Sequence, residues 1–482
     1  MFRSILPSIP VLALALVGRA GAQSVAVAVS PWPLEVVRVE PAINAVGVSR
    51  TTPISITFNQ PVALGQFVSP AVQILGRWSA MHGGTWTVAG DTVTFTSSAA
   101  FSAGETVTIN LARHLAGTSG GTLRKGFAWS FWVEARASSM RYTAIQTLIP
   151  GDTPYGGYGG DIDGDGDLDL CIPNENTSDV SVFLNDGTGT FGSVSSYGVG
   201  FHCSPSEAAD FDLDGNLDLV VANILDHDVS ILFGNGDGTF RTQVRYAVGQ
   251  QPRGLALLDA DGDGDTDIVT ANRSSSNLSL LLNDGTGQFA PAISIPGGVQ
   301  GETGVAACDM NNDGIFDLVV IGISNDKLAV RLGDGEGGFV AHSSMIIGAS
   351  PWMVVCGDVD GDGWNDVGVA QSGSSSVGVV LNAGDGTLAS HASYVTGSFP
   401  IAIDFGDLSG DGHLDLTASC FSGGVFNVYL NTGNGTFGAG FTLPAIQAGS
   451  CTVLHDIDGD LDLDITAIDE IADVVTIYRQ DG

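Results

Sequence analysis

The stretch DIDGDGDLDL (161–170) sets five aspartates within ten residues. Carboxylates about 5 Å apart repel by roughly 0.8 kcal/mol per pair even in water, so a folded loop of this composition requires a positive partner. The stretch returns as DFDLDGNLD from Asp210, DADGDGDTD from Asp259, DMNNDGIFD from Asp309, DVDGDGWND from Asp358, DLSGDGHLD from Asp407 and DIDGDLDLD from Asp456. Successive starts lie 49, 49, 50, 49, 49 and 49 residues apart. A period that regular marks one supersecondary unit copied seven times.

Each copy carries the same order of signals. A strand runs into the aspartate loop, an apolar strand leaves it (LDLVVAN from Leu217, FDLVVIG from Phe316), and a third follows a polar loop (VSILFGN from Val229). A glycine-rich turn ending in an aromatic comes next, as NDGTGTF to Phe191, GNGDGTF to Phe240, NDGTGQF to Phe289, GDGEGGF to Phe339 and NTGNGTF to Phe437. Leu388 replaces the aromatic once. Such Asn/Asp-Gly turns close tight hairpins, so a fourth strand pairs with the third. Four antiparallel strands per copy make a blade, and seven blades close a ring. The expected fold class is therefore all-β, with a seven-bladed β-propeller of four-stranded antiparallel blades over residues 141–482. The last copy stops inside its glycine turn at Asp481-Gly482, while RYTAIQTLI from Arg141 is an unpartnered strand ahead of the first loop. That strand is expected to complete the seventh blade and leave no open edge.

Residues 34–135 have another texture. Alternation in ISITF from Ile54, DTVTFT from Asp91, TVTINL from Thr106 and AWSFWV from Ala128 marks half-buried strands. About seven such strands in roughly 100 residues predict a β-sandwich, without the cysteine pair of antibody domains. Residues 136–140 read as the joint to the ring. Ahead of the sandwich, Arg3, the apolar stretch Ile5–Val17 and Ala20-Gly21-Ala22 read as a signal peptide over 1–22, cleaved after Ala22, followed by a flexible lead over 23–33. The expected location is extracellular, either secreted or at the cell surface. Six cysteines in an exported chain permit disulfides, and spacing suggests Cys171–Cys203, Cys308–Cys356 and Cys420–Cys451, with buried free thiols as the alternative.

The charge balance, 17 Lys and Arg against 53 acidic residues for a net −36, excludes nucleic acid and anionic membrane surfaces as partners and favours cations. Aspartates at positions 1, 3, 5 and 9 of a nine-residue loop, with glycine at 6, supply hard oxygen ligands in a tight turn that suits Ca²⁺ better than Mg²⁺. The side-chain ligands expected in loops one to three are Asp161, Asp163, Asp165 and Asp169; Asp210, Asp212, Asp214 and Asp218; and Asp259, Asp261, Asp263 and Asp267. Loops four and five offer Asp309, Asn311, Asp313 and Asp317, then Asp358, Asp360, Asp362 and Asp366. Loops six and seven offer Asp407, Ser409, Asp411 and Asp415, then Asp456, Asp458, Asp460 and Asp464. Each loop adds the carbonyl of its seventh residue: Asp167, Asn216, Asp265, Ile315, Trp364, His413 and Asp462. Up to seven Ca²⁺ follow. Asn311 and Ser409 each remove one charge, so loops four and six are expected to bind more weakly. Loop seven has Leu461 where glycine belongs and is the weakest candidate.

The DxDxDGxxD loops and GTF turns resemble the FG-GAP or VCBS repeats of integrin α-chain propellers and of many secreted bacterial proteins. The resemblance covers residues 141–482 and implies calcium loops on the lower face, with ligands bound on the upper face or between blades. PLEVVRVEPAINAVGVSRTTPISITFNQPV, with GDTVTFT and FSAGETVTINL after it, is similar to SbsA-type bacterial Ig-like domains, which usually act as spacers in surface proteins. The function expected is adhesion, or binding of a glycan or protein ligand, by a monomer that does not insert into membranes and in which calcium is structural. Upper-face candidates are Tyr155, Tyr158, His202, Arg253, Trp352 and Phe399 between blades, and Asn174, His227, Arg273 and Asp326 after second strands. Each of these residues taken singly also fits plain turn packing. The alternatives are an enzyme acting on polysaccharide or phosphodiester, and a purely structural spacer. The enzyme reading has thin support, since HExxH and Walker motifs are absent.

Overall fold

A computed structural model describes residues 32–438 and 440–481; the signal peptide expected over 1–22 and nearly all of the lead expected over 23–33 lie outside the described residues. Among those residues the chain is almost wholly β, in nine four-stranded antiparallel sheets. Two come from residues 36–132. Alternation puts Ile54, Ile56, Phe58, Val93 and Phe95 of one sheet and Ile74, Val107, Ile109, Trp129 and Phe131 of the other into one buried core, so the two sheets face each other.

The other seven sheets are the repeats, one sheet per aspartate loop. In six of them four consecutive strands pair in chain order. The second strands, such as Asp218–Asn223 and Asp317–Gly322, are buried at every position, which is why they read as unbroken apolar runs. First strands of successive sheets pack against one another in turn, and those of the seventh (Gly449–His455) and first (Tyr158–Gly160) also touch, so the sheets form a propeller-like ring. The seventh sheet takes its outer strand from the other end of the repeats: Tyr142–Leu148 pairs with Val474–Gln480, with Leu148 opposite Val475 and Tyr142 opposite Gln480. The aromatic closing each glycine turn wedges between sheets. Phe289 meets Phe211 at 5.5 Å and Tyr246 at 5.2 Å, both edge-on.

The N-terminal domain does not stand away from the ring on a free joint, as a spacer would. It is seated on the aspartate-loop end. Backbone hydrogen bonds run from Asp161 N–H to the Trp78 carbonyl (2.8 Å), from Arg113 N–H to Gly262 (2.6 Å), from Ala128 N–H to Gly314 (2.7 Å) and from Arg136 N–H to Leu461 (2.7 Å). Asn44 donates to the Gly363 carbonyl at 3.2 Å and accepts from Asn365 at 3.0 Å. Trp78 is buried among Leu168, Leu408 and Leu463 of the ring. The approach at Gly262 (φ +74°) is so close that a Cβ there would lie 2.6 Å from the Gly126 nitrogen. No helix among the described residues is long and apolar enough to cross a membrane.

All six cysteines are free thiols. Cys171 pairs with Tyr158 near the loop end of its sheet, whereas Cys203 is the first residue of its strand, at the other end, so the expected bridge has no geometry. Cys420 lies on a second strand and hydrogen-bonds Asn427, while Cys451 lies on an inner strand and turns to the Thr452 carbonyl. Cys308 and Cys356 are hydrogen-bonded neighbours on adjacent inner strands but are not bridged.

Candidate metal loops and upper mouth

Each aspartate in the loop has a distinct task. Position 1 accepts backbone N–H groups from within the loop, as Asp161 does from Gly164 (2.8 Å) and Gly166 (3.1 Å). Position 5 accepts the N–H of position 7 in all seven loops, from Asp165 (3.0 Å) to Asp460 (3.1 Å). Position 9 is a buckle. Its two oxygens accept one N–H at the start of the loop and one sixteen residues further on: Asp218 takes Phe211 at 2.9 Å and Gly234 at 2.8 Å, and Asp366 takes Val359 at 3.1 Å and Asn382 at 2.8 Å. The same pair of bonds recurs in every sheet, although in loop six the first donor is Ser409, one residue later.

These local bonds leave carboxylate oxygens converging. Positions 1, 3 and 9 come within 4.8 Å of one another in the loops of Asp161, Asp210, Asp358 and Asp456, and positions 1, 3 and 5 do so in the loop of Asp259. Burial, reinforced by neighbouring carboxylates, raises the proton affinity of these groups: Asp210 and Asp456 to about 6, Asp259 to about 7, and Asp218, Asp366 and Asp464 to about 8. Buried oxygens of Asp212 and Asp458, both at position 3, have no hydrogen-bond partner. An all-oxygen donor set with orphaned carboxylate oxygens fits a hard divalent cation.

Loops four and six, with Asn311 and Ser409, do not assemble three carboxylates. Loop seven does, because Leu461 itself adopts φ +79°, a conformation costly for a branched side chain. In loop two Arg241 reaches Asp212 at 3.1 Å and Asp214 at 3.0 Å. The sequence reading missed that competitor, which follows directly on Phe240. It also missed an amide that staples neighbouring sheets: Asn382 donates to the Met310 carbonyl of the preceding loop at 2.8 Å, as Asn283, Asn431 and Gln480 do to theirs. Asn185 makes the same bond to Ile457 at 2.7 Å, across the meeting of the first and seventh sheets.

Inside the ring lies a cavity of about 400 Å³. Its floor is the N-terminal domain, which projects Arg77 upward. Buried Glu105 holds the supporting turn by accepting from the N–H groups of Trp78 (3.1 Å) and Ser79 (3.3 Å). The Arg77 side chain is 41% accessible yet deep in the ring, so that accessible area faces the cavity. It lies 3.9 Å from Asp404, with Glu207 also in its field. Tyr158, expected on the upper face, is buried here instead, its hydroxyl donating to the Arg77 carbonyl.

At the opposite end the structure brings together Tyr155, His202, Arg253, Arg273, Trp352 and Phe399. Trp352, from the fifth sheet, donates its indole N–H to the Tyr155 hydroxyl at 2.6 Å, roofing the cavity. The guanidinium carbons of Arg253 and Arg273 lie 5.5 and 5.6 Å from its ring centre. Phe399 lies 6.1 Å away. Glu175, which the sequence did not flag, takes His202 at 2.9 Å and Arg253 at 3.9 Å, and burial raises both it and nearby Glu470 to about 7. Asn174 is not a surface group. It is fully buried, accepting from Gly151 N–H at 3.0 Å and donating to Ser181 at 3.0 Å. His227 and Asp326 are likewise engaged with loop backbone, through Gln251 and Ser350.

FG-GAP-like repeats match over residues 161–221, 210–270, 259–320, 309–369 and 358–418, together more than half of the chain. The chain belongs to the FG-GAP-like repeat family. Residues 31–133 match the bacterial Ig-like domain, so the domain seated beneath the FG-GAP-like repeats is Ig-like. No curated protein matches. Solved structures similar to the chain include an Agrocybe aegerita lectin that recognises non-reducing terminal N-acetylglucosamine, at 21% identity over 78% of this chain and 90% of that one, TM-score 0.42. An auxiliary nutrient binding protein of Bacteroides ovatus is similar at 11% identity over 94% and 99%, TM-score 0.41. A periplasmic gluconolactonase of Pseudomonas aeruginosa is similar at 13% identity over 60% and 85%, TM-score 0.46.

Proposed function

We propose that this is a secreted or cell-surface binding protein: a closed seven-bladed propeller, stabilised by calcium, that presents its upper mouth to a glycan or protein ligand. The observation that carries the reading is the mouth cluster, where aromatic faces from separate blades and two guanidiniums of the third blade converge on Trp352. Concave sites that combine aromatic surface with a few placed polar groups are the usual form of small-ligand sites. Calcium would be held by positions 1, 3, 5 and 9 of each loop with the carbonyl of position 7, more weakly where Asn311 and Ser409 stand in. When bound it supplies positive charge that neutralises the carboxylates. The seating of the Ig-like domain on these loops supports a role as the closed lower end of the ring rather than as a rod-like spacer.

The test is binding of calcium-loaded protein to a glycan array and to candidate surface proteins, with Trp352→Ala as the variant. Binding lost in that variant with the melting temperature preserved supports the reading; binding unchanged overturns it. Catalysis is the competing reading, and Glu207 and Asp404, which line the cavity, are the acids that would carry it. Turnover of polysaccharides or phosphodiesters that disappears in Glu207→Gln would replace binding by catalysis.

A further inference from the structure

The mouth carries a charge arrangement that narrows the ligand class, an inference that rests on the binding reading above. Arg253 shares the field of Glu175 and Glu470. Arg273 has no carboxylate or carbonyl within bonding distance of its guanidinium among the described residues; its only side-chain partner there is the Trp352 ring at 5.6 Å. Burial and the adjacent charge of Arg253 both disfavour its ionised form. In a chain with 53 acidic residues and 17 basic ones, a guanidinium held beside a second one and left without a carboxylate of its own is conspicuous, since of the two Glu175 serves Arg253 alone among the described residues. Three other rim loops bear Asp226, Asp326 and Asp473, each tied to a neighbouring backbone N–H. The positive spot is therefore small and faces a fence of Asp326 and Asp473, Asp226 being already paired with Arg245.

Around it lie flat apolar surfaces. Phe399 is 37% exposed and sits between Trp352 and Phe421, and Phe201, 52% exposed, lies beside His202. A guanidinium fork matches a carboxylate in bidentate fashion, and aromatic faces accept the C–H face of a sugar ring. We propose that the mouth recognises a single carboxylate-bearing sugar, the terminal hexuronate of a glycan, with its carboxylate on Arg273 and its ring on Phe399 and Trp352. An acidic peptide fits less well, since further carboxylates along an extended chain would meet the fence of aspartates.

The experiment titrates calcium-loaded protein with three probes: a disaccharide ending in glucuronic acid, the same disaccharide ending in glucose, and an acidic hexapeptide. The uronate is expected to bind roughly tenfold or more tighter than its neutral counterpart, as suits one charge-assisted hydrogen-bonded pair. Arg273→Gln should erase that preference by weakening the uronate at least tenfold more than the neutral sugar, and Arg273→Lys should restore part of it. Equal binding of both sugars overturns the uronate assignment and leaves the binding site standing. Binding of the peptide alone overturns the assignment in favour of a protein ligand. A uronate preference that survives Arg273→Gln also overturns it.

Discussion

Chelation combined with pH offers the sharpest test of why the loops are so acidic. In five loops three carboxylate oxygens lie within 4.8 Å of one another. At the dielectric of water, the most screened case, each pair repels by about 0.9 kcal/mol, which gives about 2.6 kcal/mol per loop and on the order of 13 kcal/mol over five loops. That equals the whole net stability of a typical domain, about 5–15 kcal/mol. Without metal the strain is relieved by protons instead. Buried Asp218, Asp366 and Asp464 have folded values raised to about 8, above the unfolded value of about 3.9. The folded, chelated chain thus holds more protons than the unfolded chain between those values, and its stability falls as pH rises through that window. Differential scanning calorimetry at pH 5.0 and 7.5, with excess Ca²⁺ and with chelator, reads this directly. Chelation at pH 7.5 should lower the melting temperature by on the order of 20 °C, and at pH 5.0 by less than half as much. A chelation gap of the same size at both pH values, or no gap at pH 7.5, would refute the reasoning.

Further outcomes follow from single groups. Asp366→Ala strands the N–H groups of Val359 and Asn382 and should cost roughly 3–6 kcal/mol in denaturant unfolding, with Asp366→Asn near half of that; a cost below about 1 kcal/mol would show that the buckle is dispensable. Arg241→Ala frees two carboxylates of loop two and should tighten the calcium isotherm of that loop by roughly two- to fivefold, a change absent if the arginine merely covers the site. Cys356 and Cys451 line the cavity between the Ig-like floor and the Trp352 roof, so a bulky thiol reagent should label them slowly in loaded protein and faster after chelation or in Gly262→Val, which crowds the docking contact; equal labelling rates would mean that the floor does not seal.

The repeats were readable because seven aspartate loops at one spacing leave few alternative structures, and because buried second strands are unbroken apolar runs. The strand from Arg141 could be assigned to the last sheet by counting strands alone. The seat of the Ig-like domain could not be read, since much of it is built from the backbone N–H groups of Ala128 and Arg136 and the carbonyls of Trp78, Gly262 and Gly314, groups that every residue type offers, and its side-chain contacts through Asn44 and Trp78 follow no repeat. Tyr158 and Asn174 were misplaced for a related reason: one or two residues of register decide whether a side chain reaches a rim or turns into the ring. Glu175 and Glu470 look in sequence like any solvated loop acid, and only folding brings them to Arg253. The stapling amides were legible in principle, because Asn185, Asn283, Asn382, Asn431 and Gln480 each stand sixteen residues after the last aspartate of their loop.

The pairing of Tyr142–Leu148 with Val474–Gln480 also dictates an order of assembly. Six sheets draw their strands from one local stretch and can form while the chain is still emerging, but the seventh joins partners more than 320 residues apart. Until that late encounter the nascent arc has two naked flanks, each able to recruit a strand from another molecule. Ions captured early by the first loops would stiffen the arc and hold its flanks on a common curve, so the availability of calcium during folding should govern how much chain closes upon itself and how much is lost to aggregation.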